Sequence, residues 1–85
     1  MNSKALAVGT SLVLAVPADD IHRTIYIHHQ SQNLIYIGGD NLTTANGFHI
    51  EKDQTLAIEL PANQTIYAIS SHAAQEIRIL TPDLD

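Results

Sequence analysis

The sequence predicts an all-β domain: a compact antiparallel β-sandwich or jelly-roll-like fold of about six to seven short strands. Three observations carry that prediction. Short apolar runs alternate with polar residues at period two, clusters of Gly, Pro, Asn, Asp and Ser separate them, and no stretch has the length and 3.6-residue period of a helix. A small open barrel uses the same alternating pattern, so the pattern leaves both architectures open. The 85 residues are read as one domain.

The first strand is expected over Leu6–Val16, where Leu6, Val8, Leu12, Leu14 and Val16 share one parity, with a break or bulge near Gly9. Pro17-Ala18-Asp19-Asp20 ends it. Residues 1–18 are thus assigned to an N-terminal strand available to an oligomer interface. Lys4 followed by Ala5–Val16, with Val16-Pro17-Ala18 as a cleavable end, is also compatible with a signal peptide, but Gly9-Thr10-Ser11 interrupts its apolar part. The run is too short to span a bilayer, which needs about 20 residues.

Arg23–His28 alternates Ile25 and Ile27 with Thr24, Tyr26 and His28, and the polar Gln30–Asn33 turn follows. Leu34–Ile37 is β-branched and aromatic, yet too short to reveal its buried face. The connection Gly38–Gly47 is rich in Gly, Asn and Asp, which suits an ordered irregular loop through positive φ at glycine and side-chain bonds to nearby amides. Phe48 and Ile50 are expected to anchor its far end, before a solvated turn at Glu51–Gln54. Thr55–Leu60 is the clearest strand; Pro61–Gln64 divides it from a strand at Thr65–Ser70. Ser71–Gln75 could form one helical turn. Glu76–Leu80 then directs Ile77 and Ile79 to one face, and Pro82 terminates it.

A domain of this size buries only about 60–65% of the surface its unfolded chain exposes. With no cysteine to cross-link it, assembly with other copies or with a larger partner is the expected source of additional stability. Nine acidic residues against four basic ones give a formal net charge of −5. Lys4, Arg23, Lys52 and Arg78 are scattered, so neither nucleic acid nor an anionic membrane is an expected partner.

The residues offer little catalytic chemistry. His28 and His29 are adjacent and point to opposite faces of a strand, while His22 and His28 would lie about 20 Å apart on a shared face. No HExxH or repeated metal-ligand spacing occurs, and neither metal nor cofactor is expected. The acidic groups Asp19-Asp20, Glu51 and Asp53 fall in predicted turns; Glu59 and Glu76 fall at outward strand positions, where they would remain solvated and discourage edge pairing. Ser70-Ser71-His72 is adjacency without GxSxG, and Gly38-Gly39 lacks the strand-to-helix setting of a phosphate loop. Asn41-Leu42-Thr43 and Asn63-Gln64-Thr65 match the short glycosylation pattern, which indicates exposure at most. Tyr26, Tyr36 and Tyr67 are interface candidates alongside Leu12, Leu14 and His28, because tyrosine joins rigid apolar area to a hydroxyl. Burial of the tyrosines in a small core is the alternative.

At Asn33–Ile50 the chain, NLIYIGGDNLTTANGFHI, resembles a segment of small structural proteins of tailed bacteriophages. The pattern is Tyr36-Ile37-Gly38-Gly39, then Asn41, Thr43-Thr44, Asn46-Gly47 and an aromatic residue; Leu60–Ile69 is similar to the group's hairpin and Tyr-Ala strand. His49 and Glu51–Gln54 depart from the proline and glycine often found there. The resemblance implies a loop shaped by Gly38, Gly39, Asn41, Thr43, Thr44 and Gly47, and no enzymatic residues. It implies a capsid decoration (cement) or head-fibre type of protein, dimeric or trimeric, made in the host cytoplasm and carried on the outer capsid of the virion. The major capsid protein or another virion protein would be its partner. A tail or head-fibre attachment module is the first alternative, and a secreted carbohydrate-binding domain is the second.

Overall fold

The computed structural model describes residues 2–81. Eight strands follow one another: β1 (Asn2–Val8), β2 (Val13–Val16), β3 (Arg23–His29), β4 (Ile35–Gly38), β5 (Phe48–Ile50), β6 (Thr55–Leu60), β7 (Ile66–Ser70) and β8 (Gln75–Thr81). They form two four-stranded antiparallel sheets, ordered β1-β8-β3-β6 and β2-β7-β4-β5. The pairings nest about the middle of the chain: β4 pairs with β5, β3 with β6, β2 with β7 and β1 with β8. The ladders β3·β8 and β4·β7 complete the sheets.

A jelly-roll barrel is not seen. Among the described residues no ladder joins one sheet to the other, so the strands do not close into a barrel. The strand number is also higher than expected because the predicted run Leu6–Val16 divides and because Phe48–Ile50, read only as an anchor for the loop, forms β5. β1 lies in the first sheet and β2 in the second, with the chain crossing between them over residues 9–12. The amide of Ser70 donates to the carbonyl of Gly9 at 2.8 Å and anchors that crossing. Parity is therefore not conserved through the run: Val8 is buried, whereas Leu12 and Leu14 are exposed. A register shift between Leu14 and Val16 turns the adjacent Ala15 and Val16 both inward, which a regular strand forbids.

One apolar cluster draws on both sheets. The first contributes Val8, Ile25, Ile27, Leu60, Ile77 and Ile79; the second contributes Ala15, Val16, Ile35, Ile37, Ile50, Ile66 and Ala68. Alternation does this directly, since β3, β4, β7 and β8 bury every second residue. Isoleucine dominates because its branched side chain packs well on a pleated surface. No tyrosine reaches this core. Leu56 and Ile58 are only partly buried because β6 is a sheet edge.

Three local expectations change. Phe48 is 62% exposed at the start of the edge strand β5; Leu42, from the preceding loop, is buried instead. Residues 71–74 make bends, not a helical turn, and Ala74 takes φ 62°. Positive φ falls on Asp53, Asn63 and Ala74 and on none of the glycines, so the glycine loop is not built on left-handed glycine. Pro82, the expected terminator of the last strand, lies outside the described residues.

Ile27 is fully buried on β3, between β8 and β6. Ile27→Ala is expected to lower stability by about 2–5 kcal/mol, measured as a fall in the urea midpoint with little change in slope.

Candidate functional site

The six interface candidates separate onto opposite sides of the molecule. Leu14, Tyr36 and Tyr67 lie on the outer face of the β2-β7-β4-β5 sheet, and Leu12 flanks it just before β2; Tyr26 and His28 lie on the outer face of the other sheet. On the first face, Leu14 is opposite Tyr67, Tyr67 opposite Gly38, and Tyr36 is flanked by Ile69 and His49. The Tyr36 and His49 rings meet edge to face, with centroids 6.4 Å apart and planes at 75°. Leu14 is 41% exposed, and Leu12 and Leu34, each 39% exposed, extend the apolar area beyond the strands.

Charge distinguishes the two sheets. None of the residues in VLAV, IYIG, FHI or IYAIS, the strands of the β2-β7-β4-β5 sheet, is Asp, Glu, Lys or Arg. The other sheet carries Lys4, Arg23, Glu59, Glu76 and Arg78. Ile69 belongs to the apolar face and was missed as a candidate. Its signal was its parity with Tyr67, but which parity points outward depends on how β7 is paired.

The outer face of the first sheet has an ordinary wet chemistry. Thr24 Oγ1 donates to Glu59 Oε1 at 2.9 Å, and Arg78 Nη2 donates to Glu76 Oε1 at 3.2 Å. His28 is opposite both Arg78 and Thr55, and its Nδ1 lies 2.8 Å from Thr55 Oγ1. Tyr26, His28, Thr55, Arg78, Leu80 and Ser3 line a depression of about 230 Å³. Arg23 is not a surface charge. It is buried at the start of β3, donates from Nη2 to the Pro17 carbonyl, and has no partner for Nε among the described residues.

At the end of the sheets where the β3–β4 and β7–β8 turns meet, polar groups are buried and mutually satisfied. His29 is fully buried; its Nδ1 accepts from the Ser31 amide at 3.0 Å, so Nε2 carries the proton donated to the Asn33 carbonyl at 2.5 Å. The Asn33 amide donates to Gln75 Oε1 at 3.1 Å, and Gln75 Nε2 donates to the Ala73 carbonyl at 2.9 Å. Ser31 Oγ accepts from the Glu76 amide at 2.6 Å, and Ser70 Oγ donates to the Leu34 carbonyl at 2.9 Å. These bonds stitch two turns together. Such a use commits both ring nitrogens of His29 to holding backbone. Ser71 Oγ and His72 Nδ1 are 3.0 Å apart, but both residues are exposed on a turn. Among the described residues no group of three or more His, Cys, Asp or Glu side chains could hold a metal ion.

Within the glycine loop, Asn46 is the organising side chain. Its Oδ1 accepts from the Thr43 amide at 2.8 Å, and its Nδ2 donates to the Asn41 carbonyl at 3.1 Å. Thr43 Oγ1 accepts from the Ala45 amide at 3.3 Å, and its carbonyl accepts from the Gly47 amide at 3.0 Å. The Leu42 amide donates to the Gly39 carbonyl at 3.1 Å, turning the Leu42 side chain inward. Thr44 is exposed. Gly47 is required by close approach: a Cβ there would stand 2.5 Å from Tyr36 Cβ and 2.7 Å from Leu42 Cδ1. Gly38 is tighter than ordinary contact, at 3.1 Å from Leu42 Cδ1, whereas Gly39 would meet only Asn41 Oδ1 at 3.5 Å.

No family model, curated protein or solved structure matches this chain. The likeness of Asn33–Ile50 to phage structural proteins thus gains no support from these comparisons.

Gly47→Ala is expected to destabilise the protein by about 1–3 kcal/mol through overpacking. Gly39→Ala should stay within about 0.5 kcal/mol of the parent. Thermal unfolding of the two variants side by side checks the contrast.

Proposed function

We propose that this chain is a non-catalytic structural module that works by contact, decorating the outer capsid of a phage particle and bridging neighbouring shell subunits. The observation that supports it is the uncharged outer face of the β2-β7-β4-β5 sheet, where Leu14 is exposed and Tyr36, Tyr67 and Ile69 are half-buried, on a chain of net charge −5. Exposed apolar area of this kind contributes free energy when another protein covers it, and each covered junction raises the energy needed to separate the shell. The segment Asn33–Ile50 supplies the particle setting, through the resemblance alone. We read the two sheets as the layers of a β-sandwich, because one core cluster holds side chains from both. In this reading Gly38 and Gly47 let the long loop fold tightly against Leu42 and Tyr36, keeping the apolar face flat.

Imaging of particles from the source host, at a resolution that identifies the chain, is expected to find it repeated over the capsid lattice. Its presence only in tails or fibres would replace decoration by an appendage role, and its absence from particles would remove the virion setting altogether.

The depression beside Tyr26 favours a second reading, as a carbohydrate-binding domain: an exposed aromatic side chain beside an almost wholly apolar depression suits the apolar face of a sugar ring. That reading expects saturable glycan binding that Tyr26→Ala weakens at least about tenfold, the loss of one stacking contact and its packing. A glycan array with no saturable signal would dismiss it.

A further inference from the structure

We propose that Asn46 is a site of spontaneous covalent modification, deamidation through a cyclic imide, and that the hydrogen bonds of the glycine loop gate it. The chemistry needs no partner, so it stands apart from the virion and glycan readings.

Packing imposes the reactive pair. Asn46 is exposed and precedes Gly47, the one Asn-Gly step in the chain. Asn2, Asn33, Asn41 and Asn63 precede Ser3, Leu34, Leu42 and Gln64. A side chain on the following residue crowds its backbone nitrogen as that nitrogen approaches the carboxamide of the asparagine, and glycine has none. Neither member of the pair can be exchanged without cost to the loop. A Cβ at Gly47 would stand 2.5 Å from Tyr36 Cβ. The Asn46 carboxamide is used at both ends, accepting from the Thr43 amide at 2.8 Å and donating to the Asn41 carbonyl at 3.1 Å.

The reaction uses only these groups and water. The Gly47 nitrogen attacks Asn46 Cγ; a bond forms between them, the Cγ–Nδ2 bond breaks, and the Gly47 amide proton leaves with Nδ2 as ammonia. Water then opens the imide. Addition at the side-chain carbonyl leaves aspartate, and addition at the main-chain carbonyl leaves isoaspartate, with the backbone running through Cγ. The balance is carboxamide plus water to carboxylate plus ammonia.

The closed loop holds the first step back. The Gly47 amide, which must lose its proton, donates to the Thr43 carbonyl at 3.0 Å. The carboxamide that must turn towards it is tied to Asn41 and Thr43. Reaction therefore runs from the opened loop, at the rate of the unfolded chain scaled by the fraction of time the loop is open. Of residues 39–46 only Leu42 is buried, so the loop can open without the core.

Neither product restores the loop. Aspartate turns an oxygen towards the Asn41 carbonyl where Nδ2 had donated. Isoaspartate lengthens the main chain immediately before Gly47, where the space beside Tyr36 and Leu42 is already filled. The change is one-way, adds a negative charge, and loosens the turn that sends Leu42 inward.

Peptide mass mapping of the full chain, incubated at mildly alkaline pH both folded and in urea, tests the site and the gate. In urea Asn46 is expected to convert before any other asparagine. In the folded chain it should convert at least about tenfold more slowly. Thr43→Val removes the hydroxyl that accepts from the Ala45 amide. It should speed the folded reaction about two- to tenfold and leave the rate in urea unchanged. Another asparagine converting first in urea, no conversion of Asn46 in the folded chain, or equal rates folded and in urea each overturn the proposal. So does a folded Thr43→Val protein that reacts at the parent's rate. The comparison of the parent with itself needs no variant, so misfolding of Thr43→Val would leave the test intact.

Discussion

The structure depends on one constraint: a single layer of mostly isoleucine side chains must be covered from both sides by strands that can each offer only alternate residues. Ile25, Ile27, Ile77 and Ile79 enter from one sheet and Ile35, Ile37, Ile50 and Ile66 from the other. Because side chains alternate, fixing these residues inside fixes Tyr26, His28, Arg78, Tyr36, Tyr67 and Ile69 on the two outer faces. The outer faces are thus a consequence of the core, not separate features added to it. Without a disulfide, this layer and the ladders beside it must hold the chain together.

Burial of polar groups follows the same geometry. Where the β3–β4 and β7–β8 turns approach each other, backbone groups leave the ladders and need other partners. His29, Ser31, Ser70 and Gln75 provide them, so a histidine and a glutamine are buried without stranding their polar atoms. The long loop achieves the same with Asn46 and the Thr43 hydroxyl while it sends Leu42 inward. Arg23 is the exception, with a buried Nε lacking a partner among the described residues. The buried polar groups of the turns are thus spent on holding backbone.

Much of this was legible in local sequence. Five of the strands, β3, β4, β6, β7 and β8, were placed to within a residue or two, since Ile25-Tyr26-Ile27 or Leu56-Ala57-Ile58 declares a strand without reference to the rest of the chain. Adjacent His28 and His29 point to opposite sides, as a regular strand requires. The glycine loop was located, but its mechanism was not: close approach to Tyr36 and Leu42, and not positive φ, requires Gly47. Phe48 misled because a large apolar residue beside a turn usually packs inward, while here the short edge strand leaves its ring uncovered.

The sequence by itself determined the all-β class, the turns, the parity within most strands and the acidic surface, because these depend on neighbours along the chain. Only the tertiary structure decided that Leu6–Val16 divides between two sheets, that His29 and Arg23 are buried, and that the formal charges of the strands all fall in one sheet. Those outcomes depend on partners far away in sequence: β1 is held by β8 and β2 by β7. Alternation shows that a strand has two faces, but it cannot say which strand stands beside it. The uncharged Leu14–Tyr67–Tyr36 face therefore existed in the sequence only as scattered residues, and the pairing of β2, β7 and β4 made it a surface.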